Sequence, residues 1–171
     1  MAVAATAAAA SSAVDAGADL VDLTGAAPAE AATFRRAHPG VPVCADGGDA
    51  DLTRDPSVAA ASGARLICAS QEEAARSGLP PERLLIETSP ASLMTALAAG
   101  YPVLVDLPDS PAAQPEEEPP GAGALAVAAL SGWLGAAVVR TRHPLPVRRA
   151  LDLTDSVRGV RPPARTVRGL A

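Results

Sequence analysis

The chain has 171 residues, a hydrophobic fraction of 49% and a formal net charge of −5 at pH 7. That length supports one domain with a hydrophobic core, and the negative charge argues against a general nucleic-acid-binding protein. Lysine and asparagine are absent and all 14 basic residues are arginines, so no step that needs a lysine ammonium or an asparagine amide can come from this chain.

Helical segments alternate with short aliphatic runs through the first half of the chain. Residues 2–16 are rich in Ala and predict a helix. They do not predict a signal peptide, because they lack its basic start and its Leu-rich stretch. Strands are predicted at 18–22, 41–45 and 64–69, and helices at 28–37 and 55–62. Ser70 and Glu73 have the spacing of a capping box, which predicts a helix that begins there.

The same alternation continues in the second half. Strands are predicted at 83–86, 102–105 and 136–139, and helices at 90–99, 124–134 and 146–157. The acidic, Pro-rich segment 106–123 interrupts this rhythm and predicts a long loop, which is either a lid over a site or a solvated linker. We expect residues 1–159 to form one barrel domain and residues 160–171 to be a disordered tail.

The six predicted strands are almost entirely apolar, and each ends on a polar or ionisable residue. Strands of this kind are buried on both faces, which predicts a parallel α/β sheet covered by helices. We expect a parallel (β/α) TIM-barrel-like fold that is incomplete, with about six strands, because a full barrel usually takes about 250 residues. An incomplete barrel leaves two open edges, and a homodimer or hetero-oligomer would cover them.

Acidic residues lie where the predicted strands end, and in such sheets the chemistry gathers at the carboxyl ends. Asp22, Asp46, Glu87 and Asp106 would place four carboxylates around one mouth. Two interpretations remain: the acids bind a ligand at this mouth, or they only accept hydrogen bonds from loop amides and strand ends. Cys44 and Cys68 lie within predicted strands and are expected to be buried free thiols.

The contexts of these strands resemble dihydropteroate synthases, the pterin-binding barrels that condense a pterin pyrophosphate with p-aminobenzoate in folate synthesis. The likeness extends from about Ala13 to Gly159. The family's Ala-Gly-Ala-Asp-Ile-Ile-Asp segment is similar to Ala16-Gly17-Ala18-Asp19-Leu20-Val21-Asp22. The strand before the family's Ser-Arg-Lys motif is similar to Gly100-Tyr101-Pro102-Val103-Leu104-Val105.

The resemblance implies substrate-binding roles for Asp22, Asp46, Glu87, Arg140 and Arg142. Asp46 corresponds to a pterin-contacting aspartate, Glu87 to the aspartate of an Asp-Pro-Gly motif and Arg140 to a phosphate-binding arginine. The chain also departs from the family pattern, since it has a cysteine where the family has a pterin-contacting asparagine and Leu107-Pro108-Asp109-Ser110 where it has Ser-Arg-Lys. Two family strands, the first one and the one that carries Met-His-Met, have no counterpart.

These departures leave three functional interpretations. The first is a degenerate relative of a folate-biosynthesis transferase that binds a pterin-like small molecule, with weak or no catalysis. The second is a working synthase of reduced size that uses Mg²⁺. The third is a non-catalytic or regulatory partner that covers its open barrel edges by assembling with another chain. All three predict a cytoplasmic protein without a membrane span.

Overall fold

Eight short parallel strands form the centre of the molecule. The computed structural model describes residues 1–48, 50–107 and 120–161. Each strand pairs in parallel with the next one along the chain, so the order of strands in the sheet is the same as their order in the sequence, β1 to β8. The strands are β1 Ala2–Val3, β2 Val21–Asp22, β3 Val43–Cys44, β4 Leu52–Thr53, β5 Leu66–Ala69, β6 Leu84–Thr88, β7 Val103–Asp106 and β8 Val138–Arg140.

Helices cover the outside of the sheet and connect successive strands, except β3 and β4, which follow each other directly in the element order. They are α1 Ala7–Asp15, α2 Pro28–Ala37, α3 Pro56–Ser62, α4 Gln71–Ser77, α5 Leu93–Ala98, α6 Ala122–Leu134 and α7 Pro144–Val157. Two 3₁₀ turns, Pro81–Arg83 and Pro90–Ser92, precede β6 and α5. The predicted parallel α/β fold with a TIM-barrel-like arrangement is therefore confirmed.

The sheet closes on itself. Beyond β8, Thr141 forms a parallel bridge with Ala2 of β1. The backbone N–H of Val3 donates to the Thr141 carbonyl at 3.0 Å, and the N–H of Thr141 donates to the Met1 carbonyl at 3.1 Å. These bonds join the first strand to the last, so the prediction of an open barrel with two free edges is wrong.

The prediction of about six strands is also wrong, because β1 and β4 complete a set of eight. The residues predicted as one helix over 2–16 divide into β1 and α1, and the helix begins only after Thr6, whose side chain accepts from the Ala9 N–H. Strand β4 lies between the strand predicted at 41–45 and the helix predicted at 55–62, where no strand was predicted. Eight units fit into 171 residues because the strands are two to five residues long and the helices six to fourteen.

Alternation along the strands creates two separate apolar layers. Outward-facing residues such as Val21, Val43, Ile86 and Val103 pack against the helices. Inward-facing residues form a second cluster inside the barrel, which consists of Cys44, Leu52, Cys68, Leu85 and Leu104. The inner cluster fills the lower part of the barrel, so the functional surface is at its carboxyl-terminal mouth.

Several helix ends follow the local rules of the sequence. Ser70 and Glu73 form the predicted capping box, in which the Glu73 N–H donates to Ser70 Oγ at 3.2 Å and the Ser70 N–H donates to Glu73 Oε2 at 2.8 Å. Helix α2 spans the predicted residues 28–37, with Pro28 in its first turn. Helix α3 ends at Gly63, whose φ of 72° favours glycine.

Parts of the predicted organisation lie outside the described residues. Most of the acidic, Pro-rich loop falls in 108–119 and most of the predicted tail in 162–171. In the part of the chain that the structure does describe, no helix has the length and apolar character needed to cross a membrane.

Candidate ligand site at the barrel mouth

Side chains alternate between the inside and the outside of the barrel along each strand. In the even-numbered strands this alternation places one charged side chain per strand at the mouth. Within β6 and β8, Leu85 and Val138 lie with the interior cluster, so Glu87 and Arg140, two residues further on, also face inward. Leu52 of β4 is interior as well, which brings Arg54 to the same level. In TIM barrels, alternate strands contribute four side chains to each interior layer.

These four residues, Asp22, Arg54, Glu87 and Arg140, form what we call the charged ring. Arg54 Nη2 lies 2.5 Å from Glu87 Oε1 and 3.4 Å from Asp22 Oδ2. Arg140 Nη2 lies 2.8 Å from Asp22 Oδ2. The order around the barrel is therefore acid, base, acid, base, and the ring carries no net charge.

Asp22 is the most deeply buried member of the ring. Its side chain is 1% exposed, and both of its oxygens are used. Oδ1 accepts a hydrogen bond from the Thr24 N–H at 2.9 Å, while Oδ2 faces the two arginines. A buried carboxylate needs such partners, because an ion without them loses several kcal/mol of solvation.

Arg54 is the ring member that the sequence analysis missed. Burial by itself would lower its pKa, but the hydrogen bond to Glu87 and the charges of Asp22 and Glu87 raise the pKa above its ordinary value. Its Nη1 also donates to Thr24 Oγ1 at 2.7 Å. The only trace in the sequence is Leu52-Thr53-Arg54 directly before the Asp55-Pro56 helix start, and a single leucine before a threonine and a charge is too short to be recognised as a strand.

Asp106 extends the charge network beyond the ring. It lies directly opposite Arg140 in the β7–β8 register, and its Oδ1 is 3.5 Å from Arg140 Nη1. Burial raises the pKa of Asp106, although the charge of Arg140 opposes that shift. Asp106 Oδ1 and Arg140 Nε are both buried without a hydrogen-bond partner among the described residues.

Two residues of the predicted site lie outside the ring. Asp46 is exposed, and its Oδ2 accepts a hydrogen bond from the Gly25 N–H at 2.8 Å. Arg142 is half-buried beyond β8 and takes no part in the ion pairs of the described mouth residues. The structure therefore brings Asp22, Glu87 and Arg140 together but leaves Asp46 and Arg142 at the rim.

Two thiols lie below the ring. Cys44 and Cys68 are free and buried, and a hydrogen bond between them, together with burial, raises the pKa of Cys68. The hydroxyl of Thr24, which also binds Arg54, lies 3.6 Å from Cys44 Sγ. Buried thiols at this level provide a largely apolar floor with weak hydrogen-bonding capacity.

Cavities lie at both ends of the barrel. A cavity of about 470 Å³ at the mouth is lined by Glu87, Thr88, Ser89, Pro90 and Asp106. The larger cavity, about 890 Å³, lies at the amino-terminal end of the strands, with Pro42, Asp51, Arg65 and Arg83 in its wall. We place the candidate site at the mouth, because Glu87 of the charged ring and the neighbouring Asp106 line the cavity there.

The ring does not suit a divalent metal. Mg²⁺ needs carboxylate oxygens that are free to coordinate it, whereas Asp22 and Glu87 each face a guanidinium in the ring. Among the described residues, no group of three or more His, Cys, Asp or Glu side chains has the arrangement of a metal site. Arginine guanidiniums thus lie beside Asp22 and Glu87, where the interpretation as a working synthase expected Mg²⁺.

The arrangement favours a neutral, hydrogen-bonding ligand over a highly charged one. Each arginine of the ring already faces at least one carboxylate at 3.4 Å or less. A pyrophosphate needs cationic donors with unused hydrogen-bonding capacity, and it would have to displace these internal carboxylates.

Comparisons with known proteins agree with this barrel. No protein-family model matches the chain. A Mycobacterium tuberculosis protein named inactive dihydropteroate synthase 2 is 49% identical over 49 residues, which are 29% of this chain and 15% of that protein. The aligned segment is thus a small part of the relative's length.

Solved structures match over most of the chain. The structure of Mycobacterium tuberculosis Rv1207 aligns with a TM-score of 0.71 and 23% identity, covering 96% of this chain and 92% of that one. Burkholderia cenocepacia dihydropteroate synthase complexed with 7,8-dihydropteroate aligns with a TM-score of 0.60 and 20% identity, covering 89% and 86% of the two chains. The chain is thus a divergent protein that resembles dihydropteroate synthases and shares their barrel fold.

Proposed function

We propose that this chain is a degenerate dihydropteroate-synthase-like protein that binds a pterin-like small molecule at the barrel mouth and does not catalyse the condensation. One observation carries the proposal: the charged ring of Asp22, Arg54, Glu87 and Arg140 is paired within itself. The similarity to a protein named inactive dihydropteroate synthase 2 supports the same conclusion. The pterin compound in a related structure supports the ligand class.

The loss of catalysis follows from what the synthase reaction requires. The protein must stabilise the pyrophosphate as it leaves, which takes cationic donors aimed at the developing charge. Without a lysine, and with both ring arginines held by carboxylates, the mouth offers little of this stabilisation. Each lost charge-assisted hydrogen bond costs roughly 1.5–3 kcal/mol, and two or three such losses lower the rate by several powers of ten.

The test is a steady-state assay of the purified chain with dihydropterin pyrophosphate and p-aminobenzoate, with product detected by mass spectrometry. We expect no dihydropteroate above the uncatalysed background, with or without Mg²⁺. An active dihydropteroate synthase in the same buffer is the positive control. Turnover that depends on the enzyme, and above all turnover that requires Mg²⁺, would show that the chain is a working synthase of reduced size.

We also propose a homodimer, now through helices instead of strand edges. Closure of the barrel removes the open edges that motivated a partner. The outer surfaces of α6 and α7 nevertheless expose large apolar side chains, among them Leu130, Trp133, Leu153 and Val157, each at least 50% exposed. Light scattering after size exclusion is expected to give twice the 17.0 kDa chain mass, and Leu153→Asp to give the monomer mass.

A cytoplasmic location remains part of the proposal. Both cysteines are free and buried, as is usual in a reducing compartment. Cell fractionation with an antibody against the chain tests this, and recovery in the membrane or secreted fraction would contradict it.

A further inference from the structure

We propose that Arg54 is a built-in ligand mimic: its guanidinium occupies the Glu87 carboxylate that would otherwise bind the 2-amino-4-oxopyrimidine edge of a pterin. This inference rests on the proposed binding of a pterin-like molecule at the mouth. It adds a specificity-determining residue that the resemblance does not supply, since Arg54 corresponds to none of the family residues assigned above. Removing the Arg54 guanidinium should therefore increase pterin affinity.

The chemistry of the two groups is the same. The pyrimidine edge of a pterin contains a ring N–H and an exocyclic NH₂ on one carbon, which makes it a cyclic guanidine. A carboxylate accepts hydrogen bonds from that edge as it accepts them from an arginine fork. In this chain Glu87 Oε1 already accepts from Arg54 Nη2 at 2.5 Å, so a pterin edge whose two donors need both carboxylate oxygens competes with Arg54 for Oε1.

The geometry gives a ligand access to this acceptor. The side chain of Glu87 is 23% exposed and lines the mouth cavity of about 470 Å³, which is within the size range of small-molecule sites. Arg54 reaches Glu87 from the end of β4, the neighbouring position in the charged ring, and is itself 26% exposed. A flat heterocycle that enters the cavity thus meets a carboxylate already bound to an internal guanidinium.

The charged ring can lose Arg54 and keep its most buried acid paired. Asp22 retains Arg140 at 2.8 Å and the Thr24 N–H at 2.9 Å, whereas Arg54 contributes only the longer 3.4 Å contact. Arg54→Met keeps most of the aliphatic volume and removes the guanidinium. The double variant Asp22→Asn/Arg54→Met removes one acid and one base together, so the formal net charge of the ring stays at zero and Arg140 keeps its contact with Asp106.

The experiment is a fluorescence titration of these variants with two probes, pterin and lumazine. Lumazine carries a carbonyl in place of the 2-amino group and therefore lacks the guanidine-like edge. We expect Arg54→Met to bind pterin at least about tenfold more tightly than the wild type, the equivalent of one recovered hydrogen bond to a charged group. Lumazine affinity should change less than twofold. Arg76→Ala, which removes an exposed arginine that forms an ion pair with Glu72 on α4, should change neither affinity.

The controls separate this inference from the proposed function. Adding Glu87→Gln to Arg54→Met should abolish the gain, because the carboxylate is its source. Equal pterin affinity in wild type and Arg54→Met, or an equal gain for lumazine, would overturn the role of Arg54 even if the wild type makes no dihydropteroate. Should Arg54→Met fail to melt cooperatively, the charge-neutral double variant decides by the same two criteria.

Discussion

Asp22 connects the charged ring to the barrel wall, because it accepts from its own loop and faces arginines from two other strands. It is the shared partner of Arg54 and Arg140. Asp46 fits the interpretation that the mouth acids only accept hydrogen bonds from loop amides. Asp22 fits it only in part, because Oδ1 accepts from a loop amide whereas Oδ2 faces two arginines. At this scale the mouth is a structural ion-pair network as well as a candidate site.

Replacing Asp22 by alanine should strongly destabilise the fold. The change leaves two guanidiniums without their shared counter-ion, and breaking a buried ion pair by removing one partner costs roughly 3–5 kcal/mol. Urea unfolding followed by circular dichroism measures the loss. Asp46→Ala is the matched control, expected to cost about 1 kcal/mol because, among the described residues, that exposed acid accepts one amide hydrogen bond. Equal losses for the two variants would contradict the central position of Asp22.

Asp106 should make stability depend on pH in a defined direction. Its folded-state pKa is raised by burial above the ordinary 3.8, so protonation favours the folded state. The contribution is fully present below pH 3.8 and is lost as the pH rises through the folded-state pKa. Relative to Asp106→Asn, the wild type should therefore be most stable at acid pH and lose that advantage towards neutrality.

Carboxyl-carbon NMR titration checks the same group directly. The Asp106 resonance should titrate with a midpoint above 3.8, and a midpoint at or below that value would mean that the Arg140 charge outweighs burial.

At the scale of elements, the strand most important for the site is β4, the one that the sequence conceals. It has two residues and no aliphatic run, and it is held by its neighbours. Asp51, directly before it, accepts from the Val43 N–H at 3.0 Å and from Arg35 Nη2 at 2.6 Å. Strand β1 was hidden for a different reason, because Ala2 and Val3 adjoin an Ala-rich segment with helical composition.

Removing the Asp51 carboxylate should loosen the β3–β4 junction. Asp51→Ala leaves the Val43 N–H without its acceptor, which costs roughly 1–3 kcal/mol. Arg35→Ala removes only the half-exposed ion pair and should cost less than about 1 kcal/mol. Urea midpoints of the two variants give the comparison, and a larger loss for Arg35→Ala would show that the ion pair, not the amide acceptor, holds this junction.

At the scale of the whole molecule, the fold class follows from sequence because each clear strand is apolar on both faces and ends on a polar or ionisable residue. The strand number does not follow, since closure depends on two-residue strands whose pairing is set by tertiary contacts. The length of 171 residues also led to the wrong prediction of an incomplete barrel. A barrel with such short strands needs far fewer residues than the usual set of eight units.

The site was predictable in part, for a related reason. Asp22, Glu87 and Arg140 end recognisable strands, so their convergence at the mouth could be expected. Arg54 could not be expected, because its position depends on the parity of a strand that the pattern does not show. Its presence changes the interpretation of the mouth from a set of free carboxylates that need a metal to a neutral ring that supplies its own cations.

A double-mutant cycle between Arg54 and Glu87 tests this neutral ring most directly. The unfolding free energies of wild type, Arg54→Met, Glu87→Gln and the double variant give the coupling between the two side chains. A charge-assisted hydrogen bond across the mouth predicts a coupling of roughly 1.5–3 kcal/mol. If the unfolding free-energy changes of the two single variants add up to that of the double variant within about 0.3–0.5 kcal/mol, the two groups do not interact. That result would contradict the Arg54–Glu87 pair of the charged ring.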